Sequence, residues 1–538
     1  MTQPDNARLA ERLDALASLL DLSGASFYSV RAYRRAAELI RSTPADVTAL
    51  VRAGRVRELS GIGGSIEAKL HELVETGRIA ELDELEATVR PELVGLARLV
   101  GLSPARLVEI GTTLDVSNAD ELREAAATKR LREIRGIGPA TEAKVLAALD
   151  RPRLEPRRGL TLNRALELTG TIADRLGGIA AGDARRFRDL SHQLAVVVAS
   201  DDAEATITRF AALAEVVSIA ERGTHRALGV TVDGVPIELV VAPPDQLGTA
   251  LVRATGSDEY VAALGALPEA ADEEGVYAAL GVPFLHPELR EEPYAGAAPA
   301  LVERAAIRGD LHVHTTWSDG RASVLEMAEA AIALGYEYLA ICDHTRSVRV
   351  VPGLDADDVR RQGEEIAAAN ELLAPFRILR GSECDILDDG SLDLPDDVLA
   401  ELDWVQASVH AGQRQTADRL TKRTLAAVDH PAVRSISHPQ GRILNHRPPN
   451  AVDLEAVFAA CVETGTALET NGLPDRIDLS SSLVRDAIRA GVRITCSTDA
   501  HSVRGLGNML LAVATARRGW CTAADVLNTR PLDELSSV

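Results

Sequence analysis

The sequence predicts a multidomain protein with a helical amino-terminal region, an α+β middle and a carboxyl-terminal barrel of seven β/α units. Three observations carry this reading. A glycine turn leading into a helix occurs twice before residue 150 with the same layout. After residue 305, short apolar runs with polar tips alternate with helical stretches seven times. At 538 residues, 46% of them hydrophobic, and with mean hydropathy near zero, the chain is long and apolar enough to bury several cores.

The expected boundaries are 1–80 for a first helical domain, 81–152 for a second, 153–290 for the α+β middle and 305–520 for the barrel. Linkers are expected near residues 151–159, rich in Pro and Arg, and 283–299, which holds Pro283, Pro287, Pro293 and Pro299. The second would let the barrel move relative to the preceding half.

In the helical region, Gly61-Ile62-Gly63-Gly64-Ser65-Ile66-Glu67-Ala68-Lys69 matches Gly136-Ile137-Gly138-Pro139-Ala140-Thr141-Glu142-Ala143-Lys144 position by position. A Gly-Ile-Gly turn exposes backbone N–H groups at a helix start, where they bind phosphate without regard to base sequence. This is the helix-hairpin-helix signature of proteins that hold a DNA backbone. A single Gly-x-Gly is usually a plain turn. Two copies with Glu-Ala-Lys at the same offset point to nucleic acid, and make Gly61, Gly63, Lys69, Gly136, Gly138 and Lys144 candidate DNA contacts. An eroded third copy, Leu99-Val100-Gly101-Leu102-Ser103-Pro104, lacks the second glycine and is not counted as a phosphate site.

In the barrel, strands are expected at 306–311, 338–342, 377–379, 404–408, 434–437, 466–468 and 493–496. Helices are expected at 324–334, 359–373, 454–464 and 483–490. Such a barrel gathers functional groups at the carboxyl ends of its strands. Those ends read Asp310-Leu311-His312-Val313-His314 with Asp319, Asp343-His344, Gly381-Ser382-Glu383-Cys384-Asp385, Ser408-Val409-His410, Ser437-His438-Pro439 and Thr498-Asp499-Ala500-His501.

Imidazole and carboxylate hold Zn²⁺, Mn²⁺ or Fe²⁺ and leave positions open for water and a phosphate oxygen. One histidine in a strand is usually a core or surface residue. Nine ligand-type residues at strand ends of one segment predict a metal cluster: His312, His314, Asp319, His344, Glu383, His410, His438, Asp499 and His501. The remaining histidines, His71, His192, His225, His286, His430 and His446, have ordinary solvent-facing readings, with His446 close enough in sequence to Arg442 to contact substrate. Two metals lower the pKa of a shared water and clamp phosphate oxygens, and a third stabilises the leaving oxygen, so phosphate-ester hydrolysis is the expected reaction. Arg442 and Arg476 are the natural cations for a substrate phosphate, with a barrel-rim salt bridge as the equal alternative.

The barrel residues closely resemble the polymerase and histidinol phosphatase (PHP) family of metal-dependent phosphoesterases, whose motifs begin with His-x-His and end with Asp-x-His. The resemblance covers residues from about 307 to about 515. It implies a first metal held by His312, His314, Glu383 and Asp499, a second bridged by Glu383 and held by His410 and His438, and a third held by Asp319, His344 and His501. It implies catalytic roles for His312, His314, Glu383 and Asp499, with Arg442 beside the phosphate.

The amino-terminal half resembles bacterial family X DNA polymerases, in which a helical domain, fingers, palm and thumb precede a PHP domain. The resemblance continues through Gly182-Asp183-Ala184-Arg185-Arg186, Gly223-Thr224-His225-Arg226, Ile237-Glu238-Leu239-Val240-Val241 and Thr255-Gly256-Ser257. It makes 81–152 fingers-like and 153–290 a nucleotidyltransferase-like palm and thumb. The family places an Asp-x-Asp pair after a Gly-Ser-x-Arg-Arg turn and a third Asp on a neighbouring strand, to hold two Mg²⁺ ions. Here the turn reads Gly182-Asp183, and Leu190-Ser191-His192-Gln193-Leu194-Ala195-Val196-Val197 carries no such pair. Glu238 alone keeps a carboxylate, and Asp183 and Asp189 lack the spacing that points two side chains to one strand face. A palm without polymerase activity is therefore expected, retained as a spacer or DNA platform.

Lys69 is one of four lysines in a chain with 58 basic residues. It matches, by motif position, the deoxyribose-phosphate lyase lysine of the family. Lys144 at the same offset in the other copy favours the plainer reading of a cation near phosphate.

The net charge of −22 argues against a generic nucleic-acid binder. Basic and acidic residues are nearly balanced before residue 150, so modest, metal-dependent DNA affinity is expected. Cys342, Cys384, Cys461, Cys496 and Cys521 are odd in number and unpatterned, as in a reducing compartment. No apolar run long enough for a membrane and no signal-like start occurs, so the expected location is cytoplasmic.

The expected function is 3′-to-5′ exonuclease or other 3′-end processing in DNA repair, on gapped or 3′-ended DNA, with two to three divalent ions. Mn²⁺ is the first choice and Zn²⁺ or Fe²⁺ the alternatives. The rivals are an active polymerase with exonuclease, a small-molecule phosphatase of the histidinol-phosphatase type, and a non-catalytic DNA scaffold.

Overall fold

A computed structural model of the chain describes residues 6–22, 27–43, 45, 47–59, 61–88, 100, 102, 104–116, 119–149, 159–294, 296–348 and 351–535. The first expected linker, apart from Gly159, and the turn of the eroded third glycine copy lie outside the described residues. Two compact units emerge: 1–160 with 170–179 and 192–244, and 161–169 with 180–191 and 245–538.

In the first unit, helices Asn6–Leu22, Phe27–Ser42, Val47–Arg52, Gly64–Thr76 and Ala80–Thr88 close around Leu9, Leu13, Leu16, Ile40, Leu70 and Leu73. Helices Pro104–Leu114, Ala119–Ala127 and Pro139–Leu149 bury a separate cluster with Leu107, Ile110, Leu122 and Val145.

The same unit contains strands β1 (Leu194–Ala199), β2 (Val216–Arg222), β3 (Arg226–Thr231) and β4 (Pro236–Ala242), hydrogen-bonded in the order β1-β4-β3-β2. β1 runs parallel to β4, while β3 is antiparallel to both of its neighbours. Residues 194–198 are all buried, which explains why β1 reads as an unbroken apolar run rather than an alternation. Ile207 and Phe210 of helix Ala203–Ala211 are buried too. A Cβ at Gly229 on β3 would lie 3.0 Å from the Phe210 ring, so glycine is what lets the helix approach the strand.

In the second unit, helices Leu247–Thr255, Asp258–Leu264 and Glu273–Leu280 surround Val252, Tyr260, Val276 and Tyr277. The proline-rich stretch expected as a free tether is instead anchored. Glu288, Leu289 and Arg290 are buried. Arg517 grips Glu288 and Arg518 grips Glu291. Pro287 opens a short 3₁₀ turn, Pro287–Leu289, and the ion pairs around it hold the stretch in place.

The barrel strands are β5 (Gly309–Val313), β6 (Tyr338–Ile341), β7 (Arg377–Asp385), β8 (Trp404–Ser408), β9 (Val433–Ile436), β10 (Ala467–Asn471) and β11 (Ile494–Ser497). They pair in chain order, parallel throughout. The ring closes where Val313 bridges Ala500 and His314 N–H donates to the Ala500 carbonyl at 2.9 Å. Connecting helices Val324–Ala333, Ala356–Leu373, Ala417–Val428, Leu454–Thr464, Ser481–Ala490 and Met509–Arg518 pack outside. Leu311, Tyr338, Trp404 and Ala467 form one buried cluster with Leu527 and Leu535, while Leu339, Ile341, Val405 and Ile494 belong to the larger cluster shared with the helices. Ser323 with Glu326, and Asp355 with Asp358, form capping boxes that start two of these helices and satisfy their first N–H groups. Among the described residues no helix is long and apolar enough to cross a membrane.

Candidate metal centre

His312 and His314 alternate along the end of β5, so both imidazoles leave the chain on one side. Their Nε2 atoms stand 3.1 Å apart, and both residues are wholly buried. Glu383, near the end of β7, is the hub. Its Oε2 lies 2.9 Å from His344 Nδ1, 3.5 Å from His312 Nε2 and 3.6 Å from His314 Nε2. Its Oε1 lies 2.8 Å from His438 Nε2 and 3.4 Å from His410 Nε2. Asp499, past the end of β11, places Oδ1 3.2 Å from His314 Nε2 and 3.8 Å from His312 Nε2. Asp319 lies 3.3 Å from His501 Nε2 and 3.7 Å from His344 Nε2. The structure thus brings all nine sequence-predicted residues to one mouth of the barrel.

These contacts fall into overlapping groups: His314, Asp319, His344 and His501; His312, His314 and Asp499; and His344, Glu383 and His410, each with ligand atoms within 4.8 Å of one another. The grouping differs from the expected partition, because His314 and His344 each belong to two groups. His438 and Asp499 take backbone φ of 27° and 53°, a left-handed conformation that costs a side-chain-bearing residue about 1–3 kcal/mol and concentrates at functional sites.

Residues that sequence reasoning passed over hold these ligands in place. Asp343 accepts from Thr315 N–H at 2.8 Å, Thr315 Oγ1 at 2.6 Å and Gln362 Nε2 at 2.6 Å, fixing the loop that carries Asp319. Asp310 accepts from Thr498 Oγ1 and N–H, tying β5 to the Asp499 turn. Asp385 accepts from the His410 N–H at 3.0 Å. Glu469 on β10 is fully buried and accepts from His312 Nδ1 at 2.7 Å and from the His438 N–H at 2.8 Å. That bond assigns the Nδ1 proton of His312 and frees its Nε2 to bind a cation. The signal for Glu469 lay in plain view, as a carboxylate following the expected strand 466–468.

Electrostatics agree with a cation site. Although burial opposes it, the surrounding imidazoles hold Glu383 and Asp499 well below the usual carboxylate range. Burial, with His501 and His344 nearby, pushes His314 down to about 3, and burial with Arg476 lowers His438. Despite burial, the acidic neighbours raise His410 and His501 to about 9. The buried Nδ1 atoms of His314 and His438 have no hydrogen-bond partner, and two Nε2 atoms face each other across 3.1 Å. Close-set imidazole lone pairs and carboxylate oxygens are the donor set for divalent ions of the Zn²⁺, Mn²⁺ and Fe²⁺ kind, and these residues fit them. The five cysteines are buried and unpaired. Burial pushes the Cys384 and Cys496 thiols up to about 12, away from ligand chemistry.

Arg442, expected beside a substrate phosphate, is committed elsewhere. Its guanidinium meets Asp189 at 2.8 Å and donates to the Ile477 carbonyl, so the barrel-rim ion pair is the arrangement found. Arg476 differs: its Nε lies 3.9 Å from Asp499 Oδ2, and its Nε and Nη1 are buried without a hydrogen-bond partner.

In the helical unit, the two glycine turns superimpose in their backbone bonding. Gly61 and Gly136 take φ of 106° and 90°, the left-handed region in which glycine carries no penalty. Ile62 N–H donates to Leu59 O at 3.1 Å and Ile137 N–H to Ile134 O at 3.0 Å. Helices Gly64–Thr76 and Pro139–Leu149 follow. Nothing lies within 4 Å of a Cβ built at Gly63, Gly64 or Gly138, so both helix starts are open to a phosphate. Lys144 is exposed.

A helix-hairpin-helix domain model matches residues 4–79, and a PHP domain model matches residues 310–442. The DNA polymerase/3′-5′ exonuclease PolX of Bacillus subtilis (strain 168) is 32% identical over 561 residues, spanning 98% of this chain and 97% of that protein. The chain belongs to the bacterial family X DNA polymerases with a PHP domain. Probable phosphatases of Acetivibrio thermocellus and Photobacterium profundum are 31% and 30% identical, but over only 36% and 37% of this chain and 78% and 80% of their own lengths.

β1 carries no carboxylate. Glu238 on β4 stands opposite Ala195 on β1 and Leu228 on β3. In the second unit, Asp183 pairs with Arg186, and Asp189 with Arg442. The arginines of the Gly182 turn are likewise spent: Arg185 forks onto Glu273 at 2.9 and 2.6 Å, and Arg186 reaches Glu291 at 2.7 Å. Lys69 Nζ meets Glu81 at 2.7 Å. Although burial opposes it, Glu81 raises the amine above its ordinary value, which keeps it protonated and poor as a nucleophile.

Proposed function

We propose that this protein is a metal-dependent DNA 3′-end nuclease, and that its palm no longer polymerises. The observation that carries the reading is the position of Glu383, within 3.6 Å of nitrogens on His312, His314, His344, His410 and His438, at the mouth of a PHP barrel. The nine residues His312, His314, Asp319, His344, Glu383, His410, His438, Asp499 and His501 would hold two to three divalent ions, Mn²⁺ first among them. Bound there, the ions supply a water acidic enough to attack at neutral pH and a clamp for phosphate oxygens. Glu469, Asp310, Asp343 and Asp385 hold the imidazoles and loops in place, and Arg476 supplies a cation on the Asp499 side.

Helix-hairpin-helix turns at Gly61, Gly63, Gly136 and Gly138, with Lys69 and Lys144 nearby, hold the DNA backbone without reading bases. On this reading Lys69 is a phosphate-side cation rather than a lyase nucleophile. Loss of polymerase activity is supported by the carboxylate-free β1 and by the internal partners of Arg185 and Arg186, which compete with any nucleotide phosphate. The substrate is gapped or 3′-ended DNA in the reducing cytoplasm, consistent with five unpaired cysteines.

The test compares substrates. With Mn²⁺, the protein should shorten a labelled primer on a gapped template far faster than it hydrolyses histidinol phosphate or p-nitrophenyl phosphate. A preference for the small esters would favour the phosphatase reading instead.

A further inference from the structure

We propose that the hairpin of residues 441–450, beside the metal centre, is a second phosphate subsite: Arg476 holds the phosphate under attack and Arg447 holds the next phosphate along the strand. This rests on the nuclease reading above and gives it a substrate class, strands of at least two nucleotides.

The hairpin begins just beyond His438. Gly441 turns the chain with φ 59°, Asn450 N–H donates to Gln440 O at 2.6 Å, and Ile443 and Arg447 exchange both backbone hydrogen bonds at 3.0 and 2.8 Å. The hairpin is tied to the loop that carries Arg476. Leu444 N–H donates to the Asp475 carbonyl at 2.7 Å, and Arg442 donates to the Ile477 carbonyl. Two loops from successive strand ends therefore form one hydrogen-bonded rim on the His438 side of the mouth.

The hairpin borders an open cleft of about 390 Å³ lined by Arg442, Asn445, His446 and Arg447, with Pro448 and Pro449 as its apolar wall. That volume lies in the range of small-ligand sites. Arg447 spends its Nε on the Gly441 carbonyl at 2.8 Å and has no ion pair among the described residues, which leaves its terminal nitrogens for a phosphate. Arg476 has two buried nitrogens without a hydrogen-bond partner, its Nε standing 3.9 Å from Asp499 Oδ2, and a phosphate oxygen would supply the acceptor that such buried donors need.

The two guanidinia also repel each other. Burial and Arg476 together lower the Arg447 guanidinium, against the opposing pull of Asp478 and Asp475. Asp478 is occupied with the backbone N–H groups of Gln440 and Arg442, and Asp475 is exposed. A strand that brings successive phosphates to Arg476 and Arg447 relieves the repulsion. A phosphomonoester engages Arg476 alone.

The test is calorimetric titration of the full chain, loaded with Mn²⁺, using thymidine 5′-monophosphate and the phosphorothioate-linked dinucleotide 5′-pTpT. The wild type should bind the dinucleotide at least about tenfold more tightly. Arg447→Ala should erase that preference. Arg476→Ala should weaken both ligands by about tenfold or more with Mn²⁺ content per chain unchanged, and Arg476→Lys should recover part of the loss, which separates the missing charge from a folding defect. The proposal is overturned by a wild type with no dinucleotide preference, by an Arg447→Ala variant that keeps it, or by an Arg476→Ala variant that loses Mn²⁺ instead of phosphate. If the expected pattern is found in a protein that never shortens a primer, the subsite stands and the nuclease reading falls.

Discussion

Replacing Glu469 by Gln changes one oxygen at the base of the metal centre, and the structure sets the size of the effect. Oε1 accepts from His312 Nδ1 and Gln406 Nε2, both at 2.7 Å. Oε2 accepts from the His438 N–H at 2.8 Å, Ser437 Oγ at 3.0 Å and Asn471 Nδ2 at 3.2 Å. Every neighbour is a donor, so a glutamine amide must turn its NH₂ toward one of the two sets. If the NH₂ faces His312, the imidazole loses the acceptor that fixes its tautomer, and outer partners of this kind are worth about 10–100-fold in metal affinity. That corresponds to about 1.4–2.7 kcal/mol. If it faces His438, buried donors go unpaired at about 1–3 kcal/mol each. Both orientations predict a lower urea midpoint for the metal-free protein, and the first also predicts weaker Mn²⁺ binding, read by competition with a chelating dye. Wild-type Mn²⁺ affinity together with a wild-type urea midpoint in Glu469→Gln would overturn this, because neither the His312 tautomer nor the donors on the His438 side would then need the carboxylate.

The pH dependence of the metal-free protein runs opposite to that of the metal affinity. Against burial, acidic neighbours raise His410 and His501 to about 9, so their contribution to stability is complete below about pH 6.5 and is lost as pH rises through about 9. The chelator-treated protein should melt at lower temperature at pH 9 than at pH 6.5 as far as these groups decide it. Mn²⁺ affinity should climb over the same window, because ligating imidazoles must be neutral. Asp343→Ala strips the acceptor from Thr315 and Gln362 and should cost about 3 kcal/mol, measured by denaturant titration, with looser metal binding through Asp319. Gly61→Ala imposes a side chain on a φ of 106°; fluorescence polarisation should show DNA affinity falling equally for unrelated sequences. Borohydride should not trap the wild type on abasic-site DNA, since Lys69 is held protonated by Glu81.

The barrel was legible because strands buried on both faces leave unbroken apolar runs, and because the ligands stand immediately past them. Each strand was found within a few residues of its expected place; β7 extends to Asp385 because its ligand-bearing end still pairs with β8. Helices Ala417–Val428 and Met509–Arg518 were not among the expected ones. What stayed hidden depended on distant partners. Gln406 reads as a polar interruption of a strand, and Glu469 as a carboxylate just past one, until folding sets both against His312. Asp189 meets Arg442 across most of the second unit's sequence, so the choice between phosphate and salt bridge had no local signal. The proline-rich stretch 283–299 looked like a tether because its anchors, Arg517 and Arg518, lie more than 200 residues away.

On the proposed reading the barrel's metal centre cuts DNA and the palm adds nothing to it. The most direct measurement follows a 5′-labelled primer on its template with Mn²⁺ and all four deoxynucleotides, for the wild type and for His312→Ala/His314→Ala side by side. The primer should shorten with the wild type, stay intact with the double variant and be extended by neither. Extension by the double variant would contradict that reading and place a working set of carboxylates in the palm.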